Sequence, residues 1–449
     1  MDLSIIILAA GQGTRMKSQL PKVLHPLAGR PMVQYALDVA TQLAPKNLAL
    51  VVGYGAQHLR QALGDGILYV EQSEQLGTGH AVLQARELLA GQAETVLVLY
   101  GDTPLITRQT LEAMLACHTR IQATITLLTF QADDPTGYGR ILRDETGRVV
   151  AIVEQKEATP EQRAIREVNS GLLCFRDAWL WPHLEKLQPQ HGEYYLTGLV
   201  ELAVAEGEPV AAQAADATEV MGLDDRVKLA RAEALIRQRI NESWMLAGVT
   251  LLDPASTYID ASVKIGQDTV IYPNTYLQGT TSIGRDCRLG PNTIIRDSTI
   301  GHGCVIEASV VEGATVEDDV DVGPFAHLRQ GTHLARGVYV GNFGEIKNSY
   351  LGPGTKMGHF SYLGDATLGA NVNVGAGTIT CNYDGQRKHP TVIEDDVFIG
   401  SDTMLVAPVK VGKGAKTGAG AVVTRDVPPE QMVYGVPARP KQEKERRKK

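Results

Sequence analysis

At 449 residues, 43% of them hydrophobic and 21% charged, the chain is long enough for at least two cores and too apolar to be disordered. A formal net charge of −8 argues against a nucleic-acid binder that gains its affinity by neutralising phosphates; the basic tail "KQEKERRKK" is the local exception and reads as a solvated terminus. The five cysteines, Cys117, Cys174, Cys287, Cys304 and Cys381, are scattered without a CxxC pair or a Cys/His cluster, which points away from zinc or a disulfide framework and toward a reducing compartment.

The first apolar run, "SIIILAA", is too short to span a bilayer, follows Asp2 where a signal peptide carries a cation, and runs straight into glycines. It predicts a soluble cytoplasmic protein, not a membrane one. It also opens an alternation of strand-like and helix-like segments that continues to residue 226. "NLALVVG", "TVLVLYGD" and "TITLLTF" read as further strands, and "PMVQYALDVATQL" and "TGHAVLQARELLA" between them carry apolar residues at helical spacing. The pattern predicts an α/β domain with a largely parallel sheet over residues 1–226. Residues 226–246, without Gly or Pro and rich in helix formers, predict a linker helix, bounded as 227–247 between the domains.

"LAAGQGTRM" follows the first strand directly, where backbone N–H groups and a helix start can hold a pyrophosphate. It is neither a dinucleotide fingerprint, since Met16 stands where the third Gly is needed, nor a Walker loop, since no GK[ST] follows. Arg15 in the loop and Lys22 in "PKVLHPL" supply cations near where phosphates would lie.

From about residue 259 the period becomes six: Ile265, Ile271, Leu277, Ile283, Leu289, Ile295, then Val322, Leu328, Leu334, Val340, Ile346, and later Ile393, Ile399, Leu405, Val411, Thr417, Val423. Such a repeat marks a parallel β-helix, here spanning a domain of residues 248–449, in which each flat face supplies one strand and one inward aliphatic per hexad. Cys287 and Cys304 fall at the small-residue position and read as packing. Arg329 and Lys347 each follow an inward aliphatic one coil apart, so both point outward and stack; two opposed cations signal an anion between them, or a solvated basic stripe. His359 follows in "KMGHFSYLGD". "TCNYDGQRKHPT" (380–391) then breaks the register, and its turn residues predict a loop leaving the coil.

"LAAGQGTRM", "PKVL", "QLGTGHA" and "YGDTPLI", in that order, resemble a sugar-nucleotide pyrophosphorylase. With the hexads included, the chain is similar nearly end to end to the bacterial bifunctional N-acetylglucosamine-1-phosphate uridyltransferase and glucosamine-1-phosphate acetyltransferase family. The resemblance implies a left-handed coil, a homotrimer, UTP, acetyl-CoA and Mg²⁺, and no nucleic-acid or membrane partner. It implies that Leu8, Ala9, Ala10, Gly11, Gln72, Gly77, Thr78, Tyr100 and Gly101 surround the uridine nucleotide. Arg15 and Lys22 would meet phosphates, and Gly139, Glu154 and Asn169 the sugar. Asp102 and Asp224 would ligate the metal; Asp224, in "EVMGLDDR", replaces the family's usual Asn with another oxygen ligand. In the second half the resemblance assigns His359 as the base and Arg329, Lys347, Tyr362, Asn373 and Lys388 to the sugar phosphate. Ala376, Asn382, Tyr383, Ser401, Ala419 and Arg439 would line the acetyl-CoA path. A single-activity pyrophosphorylase with a structural or regulatory coil, and a non-catalytic scaffold, are the competing readings. The first leaves the joint presence of Arg329, Lys347, His359 and "NYDG" unused; the second leaves Arg15, Lys22 and Asp102 unused.

Overall fold

In the computed structural model, which describes residues 2–440, the chain divides into two compact units, Met1–Ile236 and Arg237–Lys449. The basic tail at 441–449 lies outside the described residues.

The first unit is built on a sheet whose main path runs Val210–Ala214, Ile125–Gln131, Glu167–Arg176, Thr95–Tyr100, Leu3–Ala9, Asn47–Val52, Leu68–Glu71. Leu3–Ala9 is parallel to both neighbours, and Glu167–Arg176 is the antiparallel member between Thr95–Tyr100 and Ile125–Gln131. The central strands are apolar at nearly every position, Ser4 and Thr95 excepted, because both faces are covered. Ile6, Leu8, Val96 and Val98 enter one core, and Ile5, Ile7, Leu97 and Leu99 the other. Strand ends at Ala9 and Tyr100 therefore emerge side by side from a rigid centre, and the loops after them carry the residues singled out in the sequence.

Met32–Gln42 forms a helix as its spacing predicts, burying Met32, Val33, Ala36, Leu37 and Ala40. "TGHAVLQARELLA" differs from expectation: it forms two short helices, Thr78–Leu83 and Arg86–Leu89. They part where the Ala85 N–H bonds three residues back to Val82, tightening the turn. The helix Arg226–Leu246 matches its predicted span. Its early Glu233 accepts from the Ala28 N–H at 2.8 Å within the first unit. Its late Ile240 and Trp244 pack on the core of the second unit, where Asn241 also donates to the Pro254 and Thr257 carbonyls.

The second unit is a three-sided coil of strands, parallel but for the final Arg439–Pro440, forming sheets of 12, 10 and 9 strands among the described residues. Each inward position named from the sequence is buried. Across the first gap left in the hexad series the inward residues are Ile300, Ile306, Val311 and Val316, so the step shortens there from six residues to five at Ile300, Val311 and Val316. A strict search for sixes passes over these shortened corners. Glycine follows many inward residues because stacked corners nearly touch. A Cβ on Gly341 would stand 2.0 Å from the Gly358 carbonyl oxygen. Cys287 and Cys304 are fully buried, and their thiols lie 3.1 Å from the Gly301 and Glu317 carbonyl oxygens, as packing predicts.

One inward side chain per face carries the coil, so truncating one leaves a void that neighbouring coils cannot fill. Ile346→Ala, at a fully buried position, is expected to cost about 2–5 kcal/mol, read as a lower denaturation midpoint for loss of the coil's β-sheet circular dichroism. Val305→Ala, at an outward position 36% exposed, should stay within about 0.5 kcal/mol of the unmodified protein.

Candidate functional sites

The first cleft opens where Leu3–Ala9 and Thr95–Tyr100 end. Leu8, Ala9, Ala10, Gly11, Lys22, Gln72, Gly77, Thr78, Tyr100 and Asp102 line one cavity of about 300 Å³. Gly101 lies just behind, its N–H bonded to the Leu8 carbonyl at 2.9 Å. The loop after the first strand turns at Gly13, in the left-handed region at φ 66°, where a Cβ would come within 2.5 Å of the Lys22 Cβ. That approach brings Lys22 into the cleft.

Lys22 is the electrostatic centre. Its Nζ contacts the Asp102 carboxylate and stands 3.6 Å from Asp224 Oδ1. Arg15 reaches the same Asp224 oxygen at 3.2 Å, and Lys228 its other oxygen at 3.0 Å. Burial acts to lower the Lys22 pKa, but Asp102 and Asp224 outweigh it and hold the ammonium above its ordinary range. At Asp224 burial acts to raise the carboxyl, and Lys228, Lys22 and Arg15 reverse that, leaving it ionised below its ordinary value. Two carboxylates facing one cation form a donor set suited to a hard metal that takes few carboxylates and completes its shell from phosphate and water. No cluster of three or more His, Cys, Asp or Glu able to hold a metal occurs among the described residues.

Gly139, Glu154 and Asn169 stand outside the cavity lining but adjoin it. The Asn169 N–H bonds the Gly139 carbonyl at 2.8 Å, and a Cβ on Gly139 would lie 3.4 Å from Glu154 Oε1. Burial lifts the Glu154 carboxyl above its usual range, against a hydrogen bond from Thr197. Burial likewise pushes the Tyr100 hydroxyl pKa up, with Asp102 and Glu154 adding to it. Gln75 and Glu193 also line the cleft. The sequence reading assigned neither a role, although Gln75 opens the motif "QLGTGHA"; Glu193 belongs to no motif singled out there.

On the coil, His359, Asn373, Ala376, Ser401 and Ala419 share a groove of about 630 Å³. His359, Ala376, Ser401 and Ala419 each follow a corner glycine, on successive coils. At three other corners the equivalent N–H is taken by a side chain from the next coil: Arg285 by His302 Nδ1 at 3.0 Å, His302 by Asp318 at 2.7 Å, Ala370 by Asp395 at 2.9 Å. Among the described residues no protein group accepts from the N–H of Ala376, Ser401 or Ala419. The groove thus offers a ladder of unpaired donors beside a histidine. Tyr339, Lys356, Phe398 and Met432 complete its wall; the sequence reading missed them because they occupy ordinary outward strand positions.

A second cluster sits across the face formed by Ser361–Gly364. Leu328 and Ile346 are in register, which stacks Arg329 and Lys347 as predicted. Arg329 has a partner the sequence did not suggest, Glu345 at 2.7 Å. Lys388 and Arg329 together hold the Lys347 ammonium below its ordinary pKa, Lys388 most. Lys347 is in register with Gly364, where a Cβ would meet Tyr362 Oη at 2.4 Å and Asn382 Nδ2 at 2.6 Å, so glycine leaves room for those polar atoms. Asn382, buried, donates to Asp365 at 2.6 Å and stands with this cluster, outside the groove lining. The register break is a compact hairpin: Tyr383 bridges Lys388, and Asp384 accepts from the Gln386 and Arg387 N–H groups and pairs His389. Tyr383 is 60% exposed at its edge. Arg439 lies apart from the groove lining, in a short antiparallel pair with Met432–Tyr434.

Comparison with known proteins agrees with this two-part layout. Residues 5–238 match the MobA-like NTP transferase domain, and residues 262–297 and 390–425 match the bacterial transferase hexapeptide repeat, the repeat of left-handed parallel β-helices. A "Bifunctional protein GlmU" of Heliobacterium modesticaldum is 52% identical over 94% of this chain and 93% of its own. Those of Exiguobacterium sibiricum and Pelobacter propionicus are each 50% identical, over 95% of this chain and 96% and 94% of theirs. The chain belongs to the bifunctional GlmU family, a nucleotidyltransferase and an acetyltransferase in one polypeptide.

Proposed function

We propose that the two sites divide the synthesis of UDP-N-acetylglucosamine between them. The coil acetylates glucosamine-1-phosphate from acetyl-CoA, and the N-terminal cleft then transfers a uridylyl group from UTP to the N-acetylglucosamine-1-phosphate so formed. The observation that carries the reading is the presence in one chain of a cleft centred on Lys22, Asp102 and Asp224 and a groove pairing His359 with unpaired backbone donors.

In the first step the glucosamine amine attacks the thioester carbon of acetyl-CoA. His359 takes the proton the amine must lose, the work for which imidazole is suited near neutral pH, and CoA leaves as its thiolate. N–H groups of the ladder receive the developing oxyanion and the amide carbonyls of the CoA arm. Arg329, Lys347 and Lys388 hold the phosphate, whose charge relieves their mutual repulsion, and Tyr362 and Asn373 orient the sugar. Ala376, Ser401 and Ala419 line the CoA path, with Asn382, Tyr383 and Arg439 at its margins.

In the second step a phosphate oxygen of the sugar attacks the α-phosphorus of UTP, and the bond to pyrophosphate breaks. Lys22 and Arg15 neutralise the phosphates, and the glycine loop lets the backbone approach them. Gly139, Glu154 and Asn169 hold the sugar, while Leu8, Ala9, Gln72 and Gly77 enclose the nucleoside. Asp102 and Asp224 would hold Mg²⁺, which supplies charge neutralisation at the phosphates when bound. The function places the protein in the cytoplasm, where its nucleotide and CoA substrates are. Phe325, Phe343 and Phe360, on successive coils and each more than half exposed, favour a homotrimer in which a second copy covers them.

His359→Ala is expected to lower acetyl transfer at least a hundredfold while pyrophosphate release from UTP and N-acetylglucosamine-1-phosphate persists; Asp102→Ala should do the reverse. Separate assays of the two half-reactions check both, and acetylation within a few fold of normal in His359→Ala would refute the assigned base. Chelation of divalent cations should stop uridylyl transfer and leave acetylation running, measured on one preparation. Deleting residues 384–389 should cost acetyl transfer alone; loss of soluble protein, or of both activities, would contradict a purely local role for the hairpin.

A further inference from the structure

Both carboxylate oxygens of Asp224 are held by cations, and those cations are of two kinds. Lys22 lines the cleft, and Arg15, its side chain 71% exposed, stands in the glycine loop. Both meet Oδ1, at 3.6 and 3.2 Å. Lys228 takes Oδ2 at 3.0 Å and lies outside the cavity lining. It belongs to the first turn of the helix Arg226–Leu246, four residues after Asp224. Asp225 fixes that turn, its Oδ1 accepting from the Val227 and Lys228 N–H groups at 2.9 Å each.

The difference decides what each cation does when phosphates arrive. Lys22 and Arg15 gain a new partner of opposite charge, and the phosphate draws them off the carboxylate. Lys228 gains none. Among the described residues Asp224 is the one acidic side chain paired with it, and the capped turn keeps its backbone in place. A divalent cation that needs Asp224 therefore meets a carboxylate with one oxygen already neutralised. Ammonium and metal compete for the same lone pairs and repel each other, and side-chain exposures of 29% and 21% leave Lys228 and Asp224 only partly screened. Asp102 has no such second clamp: among the described residues its ion pair is with Lys22 alone.

We propose that Lys228 is a positioning residue that acts through Asp224: by keeping one carboxylate oxygen engaged, it lowers the affinity of the cleft for a divalent cation and keeps that cation exchangeable between turnovers. Asp102 is then the firm ligand and Asp224 the adjustable one. This inference rests on the uridylyl-transfer reading above.

The test measures Mn²⁺ binding to the full-length chain in the presence of UDP-N-acetylglucosamine, read from the loss of the free-ion electron paramagnetic resonance signal. Lys228→Gln keeps a good helix former at a partly exposed position and removes the charge, so the Kd for Mn²⁺ is expected to fall about three- to tenfold. Lys228→Arg, which keeps the charge, should stay within about twofold of the unmodified chain. In Asp224→Asn the ammonium loses the carboxylate that holds it, so adding Lys228→Gln there should change the Kd by less than about twofold. Acetyl transfer by the same chains reports that the protein is intact. Weaker Mn²⁺ binding in Lys228→Gln overturns the inference, because a lysine that merely holds Asp224 in place gives that sign. An unchanged Kd overturns it too, as does an equal gain in the Asp224→Asn background, the mark of a diffuse charge effect. Failure of the unmodified chain to form any UDP-sugar from UTP would refute the uridylyl reading itself, an outcome separate from any change in Kd.

Discussion

A three-sided coil has little more room inside than one side chain per face, and a polar group placed there is costly unless it finds a partner. Everything in the second unit follows from that constraint. Inward places go to aliphatic residues and Met357, or to a threonine such as Thr417 whose hydroxyl contacts Thr403 and the Gly400 N–H. Corners must be small because a Cβ would strike the next coil. Chemistry is therefore forced outward, onto corners and onto loops that leave the coil. The same narrowness makes the outer surface a ruler: residues on successive coils stand one inter-strand spacing apart. A run of N–H groups or cations at that spacing can follow an extended ligand without any loop having to fold around it.

The first unit meets the same need differently. A sheet covered on both faces gives two strand ends in fixed register, and the loops beyond Ala9 and Tyr100 converge with no adjustment of the core. Where the coil multiplies weak backbone donors, the cleft concentrates full charges. Lys22 lies between Asp102 and Asp224 at 15% side-chain exposure, so its charge is poorly screened and its position is set before any phosphate arrives. With Lys22, Lys228 and Arg15 set against Asp102 and Asp224, each charge at this centre faces an opposite one. An incoming phosphate and a divalent cation can exchange for these internal partners.

What could be read from the sequence was what depends on local pattern. The strands of the first unit, the helix Arg226–Leu246 and the inward residues of the coil are periodicities, and they appear where the spacing predicts. The stacking of Arg329 on Lys347 was legible because a fixed repeat converts sequence distance into spatial distance. Three kinds of feature were not. The five-residue steps at Ile300, Val311 and Val316 break the count while preserving the fold. The ladder at Ala376, Ser401 and Ala419 consists of backbone groups, and what distinguishes it from other corners is the lack of a side chain such as Asp318 or Asp395 reaching up from the coil beyond. Glu345 on Arg329 and Gly364 beside Tyr362 are consequences of register between strands, which no single segment displays.

The hairpin at 382–390 shows how these limits work together. Its composition signals a turn, and the closed coil explains why the extra residues project: Ala366 still pairs Thr391, so the helix resumes as if nothing had intervened. Yet its side chains divide in a way the composition does not announce. Asn382 turns back and is buried against Asp365, anchoring the hairpin's base. Asp384 gathers the tip through Gln386, Arg387 and His389. Lys388 is carried to Lys347 and Arg329. A lysine on a free loop would avoid two other cations, so the internal bonds of the hairpin hold it there against repulsion. That opposition is what an anion would relieve, and it makes the insertion the element by which the coil acquires a locally concentrated positive charge.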